Sequence, residues 1–137
     1  MRVVLDTNVI ISGLISEHGN PGRLLDAVRH DHLVLVTAPV QIEEVTDVLS
    51  RPRIAKRLTE GAREQLASLL SDIAEVFTGS LPVVTASSDS DDNLILAIAV
   101  GTHADLVVSG DKKHMVSLDD IEGIPIVSPA IAVERLG

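Results

Sequence analysis

Four acidic side chains from four separate stretches of the chain have the clearest chemical potential: Asp6, Glu44, Asp92 and Asp111. If the fold brings them together, their charges repel strongly, and some of the carboxylates are protonated unless a cation binds among them. Carboxylate oxygens favour hard divalent ions such as Mg²⁺ or Mn²⁺, which keep several water ligands. The four acids therefore predict a divalent-metal site, provided that they converge.

Two of these acids follow apolar runs that are typical of buried strands. Asp6 comes directly after Val3–Leu5, and Asp111 comes shortly after Leu106–Val108. Both runs lack polar alternation, which indicates strands covered on both faces. In an open parallel sheet, functional groups lie beyond the carboxyl ends of the strands. We therefore expect the two carboxylates at the same edge of one sheet.

The other two acids lie near the beginning of predicted helices. Asp92 is in the first turn of a helix predicted over Asp91–Val100, with Ser90 as its N-cap. Glu44 lies within a helix predicted over Pro39–Leu49. Taken singly, such acids are often only turn, cap or solvated-face residues. The metal-site interpretation depends on all four meeting at one crevice.

The remaining pattern alternates strands with helices. Further strands are predicted at Leu33–Val36, Ile124–Val127 and, within a polar connection, Pro82–Val84; further helices are predicted at Gly22–His30, Thr59–Ile73 and after Pro129. This order predicts an α/β fold, a three-layer α/β/α sandwich around a mostly parallel sheet of about five strands. With 137 residues, we expect one domain over 1–137.

Composition excludes several functional classes. The chain has no Cys, so it has no thiolate nucleophile or disulfide, which suits a cytoplasmic protein. Phe77 is its single aromatic residue, so it cannot build a base-stacking platform. A net charge of −9 disfavours passive coating of nucleic acid. No stretch is long and apolar enough to predict a membrane span.

The ordered set of motifs resembles the PIN-domain ribonuclease family. The resemblance is closest to the branch of toxin components of toxin–antitoxin systems that is related to the VapC toxins. It covers nearly the whole chain and rests on these segments: Asp6–Val9, Glu44 with Leu49 and Ser50–Pro52, Asp92–Ala97, Ser109–His114, and Ile124–Pro129. No acidic position of the family pattern is missing from this sequence.

This resemblance implies metal-dependent cleavage of RNA and inhibition by a cognate antitoxin. The family's acidic positions map onto Asp6, Glu44, Asp92 and Asp111. Its small polar position after the first acid maps onto Asn8. We expect Asn8 and Ser109 to support the cofactor by hydrogen bonds to the carboxylates or to metal-bound water.

The expected cofactor is one or two Mg²⁺ or Mn²⁺ ions, which would activate a water molecule in line with the scissile phosphate. We assign Asp6 and Asp111 as direct ligands and Asp92 as a direct or water-mediated ligand. Glu44 is either a ligand or the acceptor of the water's proton. The implied partners are an RNA substrate, an antitoxin protein and a second copy of the chain in a homodimer. Candidate residues for the protein-facing surface are Leu24, Leu58, Leu66 and Leu69.

Two other functional classes remain open at this point. A phosphatase of the haloacid dehalogenase type also has an Asp after its first strand, but it needs a second acid two residues later, where this chain has Asn8. A non-catalytic module could use the same acids only as a surface for a basic partner. Binding of a metal ion at a defined site would distinguish the enzyme from this non-catalytic module.

Six of the eleven lysines and arginines occupy two short segments: Arg51, Arg53, Lys56 and Arg57, and Lys112 with Lys113. The second segment adjoins Asp111. Such clusters are typical of a track for phosphate groups. They equally suit the solvation of a helix junction, and the sequence does not separate these interpretations.

Overall fold

The computed structural model describes residues 1–136. Its strands are β1 (Arg2–Leu5), β2 (Val34–Thr37), β3 (Glu75–Val76), β4 (Leu106–Val108), β5 (Asp120–Ile121) and β6 (Ile124–Val127). Within this range they form one six-stranded sheet in the order β3-β2-β1-β4-β6-β5. All neighbouring strands are parallel except β5 and β6, which pair antiparallel at one edge. The predicted, mostly parallel α/β fold is confirmed, with β3 and β5 as strands that the sequence does not predict.

The helices cover both faces of this sheet. They are α1 (Thr7–Ile15), α2 (Asn20–Arg29), α3 (Pro39–Ser50), α4 (Pro52–Ala55), α5 (Ala62–Ser68), α6 (Ser90–Thr102) and α7 (Pro129–Arg135). A π-helical turn (Leu69–Ile73) extends α5, and a 3₁₀ turn (Val116–Leu118) precedes β5. Within residues 1–136, no helix is long and apolar enough to cross a membrane.

Alternate residues of the strands enter two separate hydrophobic cores. Val3 and Leu5 of β1 pack on one face with residues of α1, α2, α3 and α5. Val4 packs on the opposite face with Ile98 and other residues of α6. All three β1 side chains have 0% exposure. Burial on both faces explains why the strand sequences are continuously apolar.

Helix α1 is not predicted by the sequence pattern. Its apolar residues lie on several sides: Val9, Ile10, Ile11 and Leu14 are buried, and Ile15 is half-buried. Such a helix lacks the one-sided apolar stripe that indicates an amphipathic helix. Gly13 allows close packing on α2, because a Cβ atom there would lie 2.6 Å from Leu25 Cδ1. The segment after Asp6 is therefore a deeply packed helix.

The predicted strand Pro82–Val84 is wrong, and the helix predicted over Thr59–Ile73 is shorter than expected. The left-handed residue Gly61 (φ 81°) precedes α5, which starts only at Ala62. After the π-helical turn, β3 pairs with β2 and occupies that edge of the sheet. Pro82 has no N–H to donate to a strand ladder. The edge strand therefore forms earlier in the chain than predicted.

The leucine surface suggested for a protein partner is also wrong. Leu24, Leu66 and Leu69 have 0%, 5% and 1% exposure and belong to the first core. Leu58 is half-buried against the same core. The unpredicted helix α1 and the π-helical turn supply the apolar neighbours that cover these leucines.

Candidate functional site

Asp6 lies at the junction of β1 and α1. Its backbone N–H donates to the Val108 carbonyl at 2.9 Å, which continues the β1–β4 pairing, and its own carbonyl accepts from Val9 in the first turn of α1. Its carboxylate Oδ2 accepts a 2.8 Å hydrogen bond from the Ser109 hydroxyl. The side chain is buried at 8% exposure. The strand end and the helix start thus hold one carboxylate in a defined position.

Burial is the largest influence on the Asp6 carboxyl and raises its pKa. The hydrogen bond from Ser109 and the backbone amides of Thr7 and Asn8 oppose this rise, whereas the negative charge of Asp111 adds to it. The pKa is raised overall, so the free protein holds this negative charge at an energetic cost.

Asp92 lies in the first turn of α6 and has 7% exposure. Burial is the main cause that raises the pKa of its carboxyl to about 6, followed by the charges of Asp6, Asp89 and Asp111. The Ser87 hydroxyl donates to Asp92 Oδ2 at 3.4 Å, which partly opposes the rise. Asp6, Asp92 and Asp111 therefore lie close enough to interact electrostatically.

The N-cap of α6 is Asp89 and not Ser90 as predicted, because Asp89 Oδ1 accepts a 2.8 Å hydrogen bond from the Asp91 N–H. Asn93 fastens the preceding loop by two bonds to the Ser87 backbone, accepting at 2.9 Å and donating at 2.8 Å. Residues of this loop therefore hold Asp92. The sequence does not predict this role of Asn93, because its hydrogen bonds to Ser87 depend on the folded conformation of the loop.

Asp111 lies in the loop after β4 and is half-buried. Its Oδ1 accepts from the backbone N–H groups of Lys113 at 3.1 Å and His114 at 2.9 Å, and its Oδ2 lies 3.3 Å from His114 Nδ1. The backbone bond from His114 is the largest of the contributions that lower the pKa of this carboxyl. The pKa of Asp111 is therefore lowered, whereas the pKa values of the neighbouring Asp6 and Asp92 carboxyls are raised.

Glu44 is half-buried in α3. Among the described residues, its side chain forms no hydrogen bond or ion pair. The charges of Asp6, Asp89 and Asp111 act on Asp92, and that of Asp111 acts on Asp6, so the three aspartates Asp6, Asp92 and Asp111 form one electrostatic group. Asn8 is exposed on α1, and its side chain has no hydrogen-bond partner within residues 1–136.

A buried amide that the sequence did not single out anchors the end of β1. Gln41 of α3 donates from Nε2 to the Leu5 carbonyl at 2.6 Å and accepts at Oε1 from the Thr37 hydroxyl at 2.6 Å. Gln41 and Thr37 have 2% and 0% exposure. The Leu5 carbonyl immediately precedes Asp6, so this pair of bonds ties α3 and β2 to the strand end that carries the first acid.

The donor set fits a hard divalent cation. Within residues 1–136, no Lys or Arg forms an ion pair with the three aspartates, and His114 is the one basic side chain within ion-pair distance of them. The Thr7 hydroxyl, next to Asp6, is a buried oxygen without a hydrogen-bond partner. Within the described range, no three His, Asp or Glu side chains are placed to hold a metal ion together. A carboxylate has about four lone-pair positions, so hydrogen-bonded oxygens can still accept a cation.

Comparison with known proteins gives a consistent family assignment. The sequence profile of the PIN domain matches residues 2–113. The uncharacterized protein MJ1680 of Methanocaldococcus jannaschii is 31% identical over 122 residues, which cover 88% of this chain and 76% of that protein.

Two solved structures share the fold. VapBC2 from Rickettsia felis, bound to a DNA fragment from their promoter, contains a chain with a TM-score of 0.60 and 14% identity. FitAcB from Neisseria gonorrhoeae contains one with a TM-score of 0.53 and 16% identity. Each similarity covers 93% of this chain and 98% of the other. At these identities, the similarity establishes the fold alone.

Proposed function

The chain belongs to the PIN-domain family, and from this premise we propose that it is a metal-dependent endoribonuclease that acts as the toxin of a toxin–antitoxin pair. The observation that carries the proposal is the group of three aspartates, of which two have raised pKa values and none is paired with a Lys or Arg of the described chain. Such an enzyme would act in the cytoplasm, where its RNA lies.

In this proposal, Asp6, Asp92 and Asp111 hold one or two Mg²⁺ or Mn²⁺ ions. When bound, the cation supplies a water of lowered pKa and stabilises negative charge on the phosphate. Ser109 orients the Asp6 carboxylate through its hydrogen bond. Glu44, whose carboxylate is free of other partners in the described residues, accepts the proton of the attacking water. Asn8 contributes an amide to the substrate or to the water near Asp6.

The toxin assignment rests on the resemblance of the sequence motifs to the VapC-related toxins, and the fold shared with a chain of VapBC2 is consistent with it. We propose that an antitoxin protein inhibits this chain and that the chain forms a homodimer. Copurification with the product of an adjacent gene tests the antitoxin partner. Light scattering of the free protein tests the homodimer. An adjacent-gene product that binds without reducing RNA cleavage, or a strictly monomeric mass, contradicts the corresponding partner.

The central experiment incubates the purified chain with mixed RNA in Mg²⁺, in Mn²⁺ and in EDTA. We expect cleavage with either ion and none in EDTA. Asp6→Asn should abolish cleavage, whereas Asp120→Asn, a change of an exposed acid on β5, should retain it. Cleavage that persists in EDTA, or that Asp6→Asn leaves intact, contradicts the proposal. Hydrolysis of a phosphomonoester without cleavage of RNA would instead indicate the phosphatase class.

A further inference from the structure

One surface of α1, together with its C-cap Ser16, borders a groove whose lining combines polar side chains with the isoleucines Ile11, Ile15 and Ile54. Asn8, Ser12 and Ser16 are spaced four residues apart, all three are exposed, and all three line a cavity of about 300 Å³. Residues at this spacing lie on one face of a helix. Asn8 lies in the first turn of α1, so one end of the groove is at the helix end that follows Asp6. Eight residues of α-helix extend about 12 Å, which is enough to follow more than one nucleotide.

The opposite wall of the groove carries positive charge. Ile54 of α4 and Arg57, which follows α4, line the same cavity. Within residues 1–136, Arg53, Lys56 and Arg57 form no ion pair with a carboxylate, whereas Arg51 pairs with Asp47 at 3.1 Å. No Asp or Glu lines the cavity. Arg57 is the cation that lines the cavity itself, and Arg53 and Lys56 lie near it in the chain.

We propose that this groove binds the sugar–phosphate backbone of the RNA next to the cleaved bond, with Arg57 as its main phosphate contact. The inference rests on the proposed ribonuclease function and extends it to the substrate path. A guanidinium can form two parallel hydrogen bonds to a phosphate, and the Ser12 and Ser16 hydroxyls and the Asn8 amide are suitable additional donors. A contact of this kind offsets the repulsion between RNA and the acidic remainder of the chain.

The test measures binding of a fluorescent single-stranded RNA in Mg²⁺ with every variant made in an Asp6→Asn background, so that RNA stays intact. Arg57→Gln should weaken binding roughly tenfold and reduce the slope of log K against log salt by about 0.7, the value for one phosphate contact on a single strand. In the wild-type background, Arg57→Gln should raise KM and leave kcat nearly unchanged, because the contact is made in both ground and transition states.

Arg135→Gln is the matched control, since Arg135 is an exposed arginine of α7 without an ion pair in the described range. It should change RNA affinity less than twofold. If the two substitutions weaken RNA binding equally, the effect is one of general charge, and the proposal that this groove binds RNA is wrong. If Arg57→Gln retains RNA binding but loses an antitoxin protein, the groove is a protein-docking site instead. Failure of the unaltered chain to bind or cleave RNA would reject the proposed function itself, together with the groove.

Discussion

The Ser109 hydroxyl donates a 2.8 Å hydrogen bond to Asp6 Oδ2, although the two residues are 103 positions apart in the chain. The same hydroxyl oxygen accepts the Asp111 N–H at 3.1 Å. Ser109 has 0% exposure, so water cannot easily replace it. One buried side chain therefore connects the carboxylate at the end of β1 with the loop that carries Asp111.

Ser109→Ala should weaken metal binding by about tenfold or more, because partners of a ligand fix its orientation. The pKa of Asp6 should rise further, since the Ser109 bond lowers it in the intact protein. Calorimetric titration with Mn²⁺ measures the change. Ser50→Ala, at an exposed hydroxyl of α3, is the control and should leave affinity unaltered. Unchanged affinity in Ser109→Ala would contradict an orienting role.

The metal-free protein should become more stable as the pH falls from 7.5 to 5. The folded-state pKa values of Asp6 and Asp92 are raised, that of Asp92 to about 6, so between the unfolded and folded values the native state binds more protons. The free energy of unfolding should increase by about 1–3 kcal/mol over this range. Below pH 4 the lowered pKa of Asp111 acts in the opposite direction.

Urea unfolding in EDTA at several pH values measures this profile. Asp92→Asn should flatten the profile and stabilise the metal-free protein at pH 7.5, because it removes a buried charge while keeping the shape of the side chain. Asp120→Asn is the control at an exposed position. A wild-type protein that loses stability steadily from pH 7.5 to 5 would contradict the prediction.

Mn²⁺ should raise the Tm of the wild-type protein, since a ligand of the native state stabilises by mass action, by about 2.7 kcal/mol at a hundredfold excess over Kd. Glu44→Gln should keep most of this stabilisation and lose kcat, because in the proposed function Glu44 accepts the proton of the attacking water and does not hold the ion. Asp6→Asn should lose both. Equal loss of metal stabilisation in the two variants would identify Glu44 as a direct ligand.

Gln41→Leu should reduce the free energy of unfolding by about 2–4 kcal/mol, because it leaves the buried Thr37 hydroxyl and Leu5 carbonyl without partners. Thr37→Val alone should cost less, and the double variant should cost less than the sum of the two. Urea unfolding gives all three values. Strict additivity would show that the two side chains do not act as one network.

The sequence predicts the local features of this protein well. Apolar runs correctly indicate β4 and β6, and Pro39 correctly marks the beginning of α3. Buried strands and helix starts leave signals in consecutive residues, so no tertiary information is needed to find them. Helix α1 was missed because it is apolar on several sides. The strand expected at Pro82–Val84 was wrong because β3 already occupies the edge beside β2.

For the candidate site, the sequence alone determined which acids follow strands or begin helices and that oxygen ligands suit Mg²⁺ or Mn²⁺. Only the tertiary structure decided that Asp6, Asp92 and Asp111 influence one another and that Ser109 and Gln41 hold the strand ends. It also decided that Arg57 faces the groove beside Asn8. Hydrogen bonds and charge interactions act over a few ångströms, and the packing of helices on the sheet sets which residues distant in the chain come within that range.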